Sequence, residues 1–248
     1  MRLFSLNHLI IPLLIGVLIP LTVPAATINV QPDQVKAGLF FNGETVTVTG
    51  QRDSGQPLLL LVIGPQQTQQ IAPLGKHNGI WVKEEAHTLA QAPGFLAIAG
   101  SQPLNELVTL YNDTLTAAGL TSILEYLPLP PESNRTPSSN WYHAHASLLE
   151  QQSLLLPAVT LENDPNSGTF STTIRLPSNA PPGRYQVVAF TSANDQPVVV
   201  TTHLNLIKSG IVSRLEGAAL HQPVVYGISA LLFALLVGWV IGVLLNRR

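Results

Sequence analysis

The alternation of hydrophobic and polar positions along this chain breaks most completely at its end. From Val224 to Leu245 no charged residue occurs, and Leu, Ile, Val, Phe and Ala dominate. At about 1.5 Å per residue a helix over that run is about 33 Å long, enough to cross a hydrocarbon core of about 30 Å. Asn246-Arg247-Arg248 then closes it with two cations, which favour the cytoplasmic side. The pattern predicts a transmembrane helix over 223–246 and a cytoplasmic tail at 247–248, with Tyr226 as an interfacial aromatic. Ala230, Ala234, Gly238 and Gly242 recur every fourth residue, and the last pair is a GxxxG. Residues four apart share a helix face, so these four predict a small-residue packing face that lets another helix approach closely.

Upstream the pattern shortens to the period of half-buried strands. Thr27–Val30 and Thr45–Thr49 alternate, with Asn42-Gly43 as a turn before the second. Leu58–Ile63 is a short continuous apolar run between Gly/Pro turns and predicts a fully buried strand. A strand over Gly79–Thr88 and another over Phe95–Ala99 follow. Five short strands punctuated by Gly and Pro predict an antiparallel sandwich rather than βαβ units.

After Ser101 the period changes. Leu104, Leu107, Val108, Leu110, Tyr111 and Leu115 recur at helical spacing, with Gly119 as a stop. Pro128–Ser139 reads as a loop, and Trp141–Leu156 resumes helical spacing until Pro157. Strand signals return at Gly168–Leu176, Tyr185–Thr191 and Val198–Ile207. A strand, a Pro/Gly corner at Ala180–Gly183 and a Tyr-led strand in that order are frequent in immunoglobulin-like sandwiches. The expected fold is mainly β: an immunoglobulin-like antiparallel sandwich with a helical insertion, plus one C-terminal transmembrane helix. The expected division is 27–103 first β-rich part, 104–156 helical insertion, 157–207 second β-rich part and 208–222 juxtamembrane linker.

The amino terminus supplies a second membrane-directed segment. Met1-Arg2 precedes the apolar run Leu9–Leu21, and Val23-Pro24-Ala25-Ala26 offers small residues suited to signal peptidase. Residues 1–26 therefore read as a secretory signal peptide. An uncleaved anchor, the competing reading, yields the same topology. Thr27–Gln222 is expected outside the cytoplasm, which in a bacterium means a periplasmic domain held at the inner membrane.

Composition narrows the chemistry. Twelve Lys and Arg face fourteen Asp and Glu, a balance without the basic footprint that nucleic acid demands. The absence of cysteine excludes disulfides, thiol catalysis, Fe–S clusters and cysteine zinc sites together. His143 and His145 are the one close histidine pair, with Glu150 downstream. On a helix they point about 200° apart, so a shared metal is not expected. No Gly-x-Ser-x-Gly elbow, Ser-x-x-Lys pair or phosphate loop occurs. Glu84-Glu85 would fall on opposite faces of a strand, and Trp81, Trp141 and Tyr142 read as core or groove aromatics. The expectation is no enzyme, no cofactor and no metal site.

Gly79-Ile80-Trp81-Val82, Phe95–Leu104, Thr173–Pro177 with Pro182-Gly183, and Gln222-Pro223, Tyr226-Gly227 and Gly238-Trp239 carry a further signal. In that order and spacing they resemble the alphaproteobacterial putative transmembrane protein family, over nearly all of the mature chain. The resemblance implies an architecture of signal, ectodomain and single C-terminal span, and assigns no activity. It suggests a sulfite-exporter-type permease as a partner. The functional expectation is a non-enzymatic accessory or interaction subunit, bound to lipid and to a membrane-protein partner or to itself through the terminal helix. A tethered solute- or metal-binding module using His143 and His145 is the alternative, and a hydrolase without a recognisable motif a third.

Overall fold

The computed structural model describes residues 26–127, 139–164, 166–194, 196–210 and 223–245. All of the expected signal segment but Ala26, nearly all of the loop at 128–139, most of the 208–222 linker and the terminal arginines lie outside the described residues. In chain order come β1 (Ala26–Gln31), β2 (Gln34–Ala37), β3 (Glu44–Arg52), β4 (Leu59–Ile63), β5 (Gln66–Ile71), β6 (Leu74–His77), β7 (Ile80–Lys83), β8 (His87–Pro93) and β9 (Leu96–Gly100). Helices α1 (Leu104–Ala117), α2 (Thr121–Leu124) and α3 (Ser139–Gln151) follow. Strands β10 (Leu155–Val159), β11 (Leu161–Asn163), β12 (Thr169–Leu176), β13 (Gly183–Ala193) and β14 (Gln196–Lys208) precede the last helix, α4 (Pro223–Leu245).

Two sheets share one apolar core. The smaller runs β1-β3-β12-β11 and the larger β10-β9-β4-β13-β14-β2. In β3 and β12 every second side chain is buried, placing Val46, Val48, Phe170 and Ile174 in the core and their neighbours outward. That is the period of a sheet with one wet face. β4 differs: all five residues from Leu59 to Ile63 are buried, because α1 covers part of the larger sheet with Leu107, Val108, Tyr111 and Leu115. Burial on both faces explains the unbroken apolar run, and each such side chain stabilises by about 1.5–3 kcal/mol.

Tyr185, fully buried at the start of β13, donates its hydroxyl to the Pro181 carbonyl at 2.7 Å. Its ring tilts against Phe95 with centroids 5.8 Å apart. A tyrosine bonding back a few residues upstream fastens the corner that feeds the strand, as a tyrosine corner does.

The mainly β fold with a helical insertion and one terminal apolar helix is as expected; several details are not. Both edges of the larger sheet are parallel, β10 on β9 and β2 on β14, where an antiparallel arrangement was expected. The helix expected to reach Leu156 stops at Gln151, and Ser153 takes a positive φ of 57°. Leu154 then accepts a hydrogen bond from the Leu96 amide, and Leu155 and Leu156 pair with β9. An open sheet edge next to two buried leucines outweighs helical periodicity here, and Pro157 is tolerated because β10 is an edge strand. The strand expected over Gly79–Thr88 is two strands, β7 and β8, separated at residues 84–86.

Those two strands belong to a feature the hydrophobic pattern does not announce. β4 and β9 continue past Gly64 and Gly94 into a two-stranded ribbon, first β5 against β8 and then β6 against β7. Its tip is the turn Asn78-Gly79, with φ of 49° and 89°. Two consecutive residues at positive φ are what a two-residue hairpin of the right twist requires, and Asn-Gly meets that need best.

Candidate functional site

The predicted packing face lies on α4. Ala230, Ala234, Gly238 and Gly242 fall one turn apart along one side of a 23-residue helix with no buried residue. A Cβ added at Gly238 or Gly242 would meet nothing within 4 Å, so the face is open to a neighbouring helix. Ser229 donates its hydroxyl to the Val225 carbonyl at 2.8 Å, satisfying that group within the helix as an apolar surrounding requires.

The helical insertion brings together residues that the sequence leaves apart. His145, on α3, is buried, and its Nδ1 lies 2.8 Å from the hydroxyl of buried Tyr126. Tyr142 packs edge-on against Tyr126, with centroids at 5.6 Å. Burial holds the His145 pKa below its ordinary value. Burial, helped by Tyr142, pushes the Tyr126 phenol well above its own. At neutral pH the pair is therefore an uncharged phenol and an uncharged imidazole. His143, two residues before His145, is half-buried, and its carbonyl accepts a hydrogen bond from Ser147 Oγ at 3.0 Å. Among the described residues no three His, Asp or Glu side chains converge as metal ligands would.

The ribbon runs beside this insertion. Trp141 stacks flat on His87 at the start of β8, with centroids 5.1 Å apart and planes 11° from parallel. Glu84 and Glu85 sit in the connection between β7 and β8, not in a strand, and share a shallow cleft of about 400 Å³ with Pro73, His87 and Trp141. Glu84 Oε1 lies 3.6 Å from His77 Nε2 across the ribbon. Trp81 corrects the expectation of a core or groove aromatic: it is 65% exposed, and Leu74, Ile80 and Val82 around it are exposed as well.

Arg52, which the sequence reading passed over, is the electrostatic oddity of the core. It is buried, with Nη2 donating to Asn163 Oδ1 at 2.8 Å, while Nε and Nη1 have no partner among the described residues. Desolvation lowers its pKa, though a guanidinium stays charged in any protein setting. Nearby Tyr111 joins α1 to the loop before β4, its hydroxyl donating to the Pro57 carbonyl at 3.0 Å.

Residues 26–247 match the family described as putative transmembrane protein, Alph_Pro_TM. The chain belongs to this family. The match runs from β1 through α4, so Alph_Pro_TM membership covers the two sheets, the insertion, the ribbon and the candidate span as one unit. No match was found among curated proteins. The resemblance expected from the short motifs thus holds, and the Alph_Pro_TM description agrees with a helix long and apolar enough to cross a membrane.

Of the residues singled out from the sequence, the four on α4 fall together on one face, and of the histidine pair His145 is buried against Tyr126 while His143 is half-buried. The exposed ribbon tip is what sequence reasoning missed. Asn78-Gly79 was the available signal, since that dipeptide between short strands is the strongest local mark of a hairpin.

Proposed function

We propose that this protein is a non-enzymatic, single-pass inner-membrane protein whose β-rich domain stands in the periplasm and serves as an accessory or interaction subunit. The observation that carries this reading is α4: apolar on every side, unburied along its whole length, and bearing one continuous small-residue face. A helix with no tertiary packing of its own leaves that face for lipid or another span. In lipid, association rests on close packing rather than on hydrophobic drive, which is what small side chains permit. A partner helix, in a permease of the sulfite-exporter type or in a second copy of this chain, would fit it. The insertion offers a second contact surface.

Crosslinking in native membranes tests the reading. Gly238→Ile with Gly242→Ile blocks close approach yet leaves the segment apolar enough to insert. The variant should reach the membrane in normal amount and lose its crosslinked partner. Leu232→Ile with Val243→Ile should crosslink as the unaltered protein does. Equal crosslinking in both variants would remove the helix face from the account.

A further inference from the structure

The ribbon tip is apolar, exposed and unsupported. All of β7 is exposed, and β6 is exposed except for half-buried Gly75. Leu74 is 60%, Ile80 67% and Trp81 65% exposed. A two-stranded hairpin alone in water is marginal at best, and so many exposed apolar side chains at one point mark a contact surface.

Where the ribbon leaves the fold says what it meets. Ile63, the last residue of β4, pairs with Gln186, which pairs with His203 on β14. From that row β14 runs on to Lys208, and after residues 211–222 the chain enters α4. The ribbon therefore springs from the same end of the larger sheet as the connection to the candidate span. Thirteen Cα steps separate Gly210 from Pro223 and reach at most about 45 Å. Measured from the Ile63–His203 row, Gly210 lies about 24 Å out and His77 about 48 Å if the ribbon is extended, so the tip falls within the range at which the connection can place the start of α4.

The tip's chemistry is that of a membrane interface. On one face Trp81 opposes Lys76 and Leu74 opposes Lys83; on the other Ile80 opposes His77 and Val82 opposes Gly75. From residue 74 to 83 there are two lysines and no acid, and Glu84, which faces His77, and Glu85 follow behind. Tryptophan favours the headgroup level, lysine stems lie along apolar surface with the ammonium at the phosphates, and anionic lipid attracts the two cations.

We propose that the β6–β7 tip inserts into the headgroup layer of the same bilayer that α4 crosses, with Trp81 as its anchor, so that the domain is held at two points. The proposal rests on α4 being a span. The chain has no cysteine, so single labels are unambiguous. Full-length protein carrying a nitroxide at Ile80→Cys, Leu39→Cys, Asn166→Cys or Leu232→Cys would be reconstituted in phosphatidylethanolamine–phosphatidylglycerol vesicles. Collisions with dissolved oxygen and with a water-soluble nickel chelate would then be compared. The expected result is that Ile80→Cys loses most of its chelate collisions and gains oxygen collisions several-fold relative to Asn166→Cys, and that adding Trp81→Asp reverses this. Water-like values at Ile80→Cys with lipid-like values at Leu232→Cys would overturn the proposal and leave the span intact. Water-like values at Leu232→Cys would remove the span and the proposal with it. Lipid-like values at Leu39→Cys instead of Ile80→Cys would overturn it in favour of the loop after β2, where Leu39 and Phe40 are 62% and 87% exposed. Shielding of Ile80→Cys from both reagents, with a short label-to-label distance, would overturn it in favour of a second copy.

Discussion

Single side chains divide here into those that hold the fold and one that makes it pH-sensitive. The Tyr185 hydroxyl leaves the Pro181 carbonyl without its partner in Tyr185→Phe, at a cost of about 1–2 kcal/mol. Thermal unfolding should show a lower Tm with unchanged secondary structure. His145 acts through protons. Unfolded, it gains a proton near its ordinary pKa of 6.5; folded, burial postpones that to lower pH. The unfolded state thus binds more protons below that value, so His145's contribution is complete above about pH 6.5 and is lost as pH falls. The Tm should drop between about pH 7 and 5, with a shallower slope in His145→Gln. An unchanged slope would place the sensitivity elsewhere. Tyr185 was visible in the sequence as the head of a strand after a Pro/Gly corner. The Tyr126–His145 bond was not, because the two residues meet only once α3 has folded back on the segment after α2.

At the scale of elements, the ribbon and the sheets answer to different constraints. β3 and β12 bury one face, and their alternation fixes their register, since a one-residue slip would turn Val46 and Val48 outward. The outer ribbon buries almost nothing, so its register depends on the Asn78-Gly79 turn. A β-branched residue at φ 89° is strained by about 1–2 kcal/mol. Gly79→Val should therefore speed amide exchange at Gly75 and Val82, a hydrogen-bonded pair of the ribbon, while leaving the global Tm nearly unchanged. Protection that is unchanged at those amides would mean the tip is held by something other than its turn. Polar β5, Gln-Gln-Thr-Gln-Gln-Ile, shows why such an element escapes a hydrophobic reading: backbone pairing with β8 makes it a strand, with no core face to leave a period.

For the whole molecule the governing fact is the separation of a β-rich region with its own core from a helix that has none. Our reading of the topology puts them on different sides of a membrane surface, with the terminal arginines inside. A reporter fused after Arg248 should be active only in the cytoplasm, and one inserted at the exposed β13–β14 turn near Asn194 only in the periplasm. The reverse pattern would invert the orientation. Composition and periodicity by themselves determined the apolar helix, the buried strand at β4, the alternating strands β3 and β12, and α1, because each of these writes its environment into its own residues, whereas β13, expected to alternate, is buried without a break from Val187 to Thr191. The order of strands in the two sheets, the parallel edges at β2 and β10, the early end of α3 and the projection of the ribbon were decided only by tertiary structure. Each depends on which open edge or buried residue lies opposite in space, and a neighbour in space leaves no period along the chain.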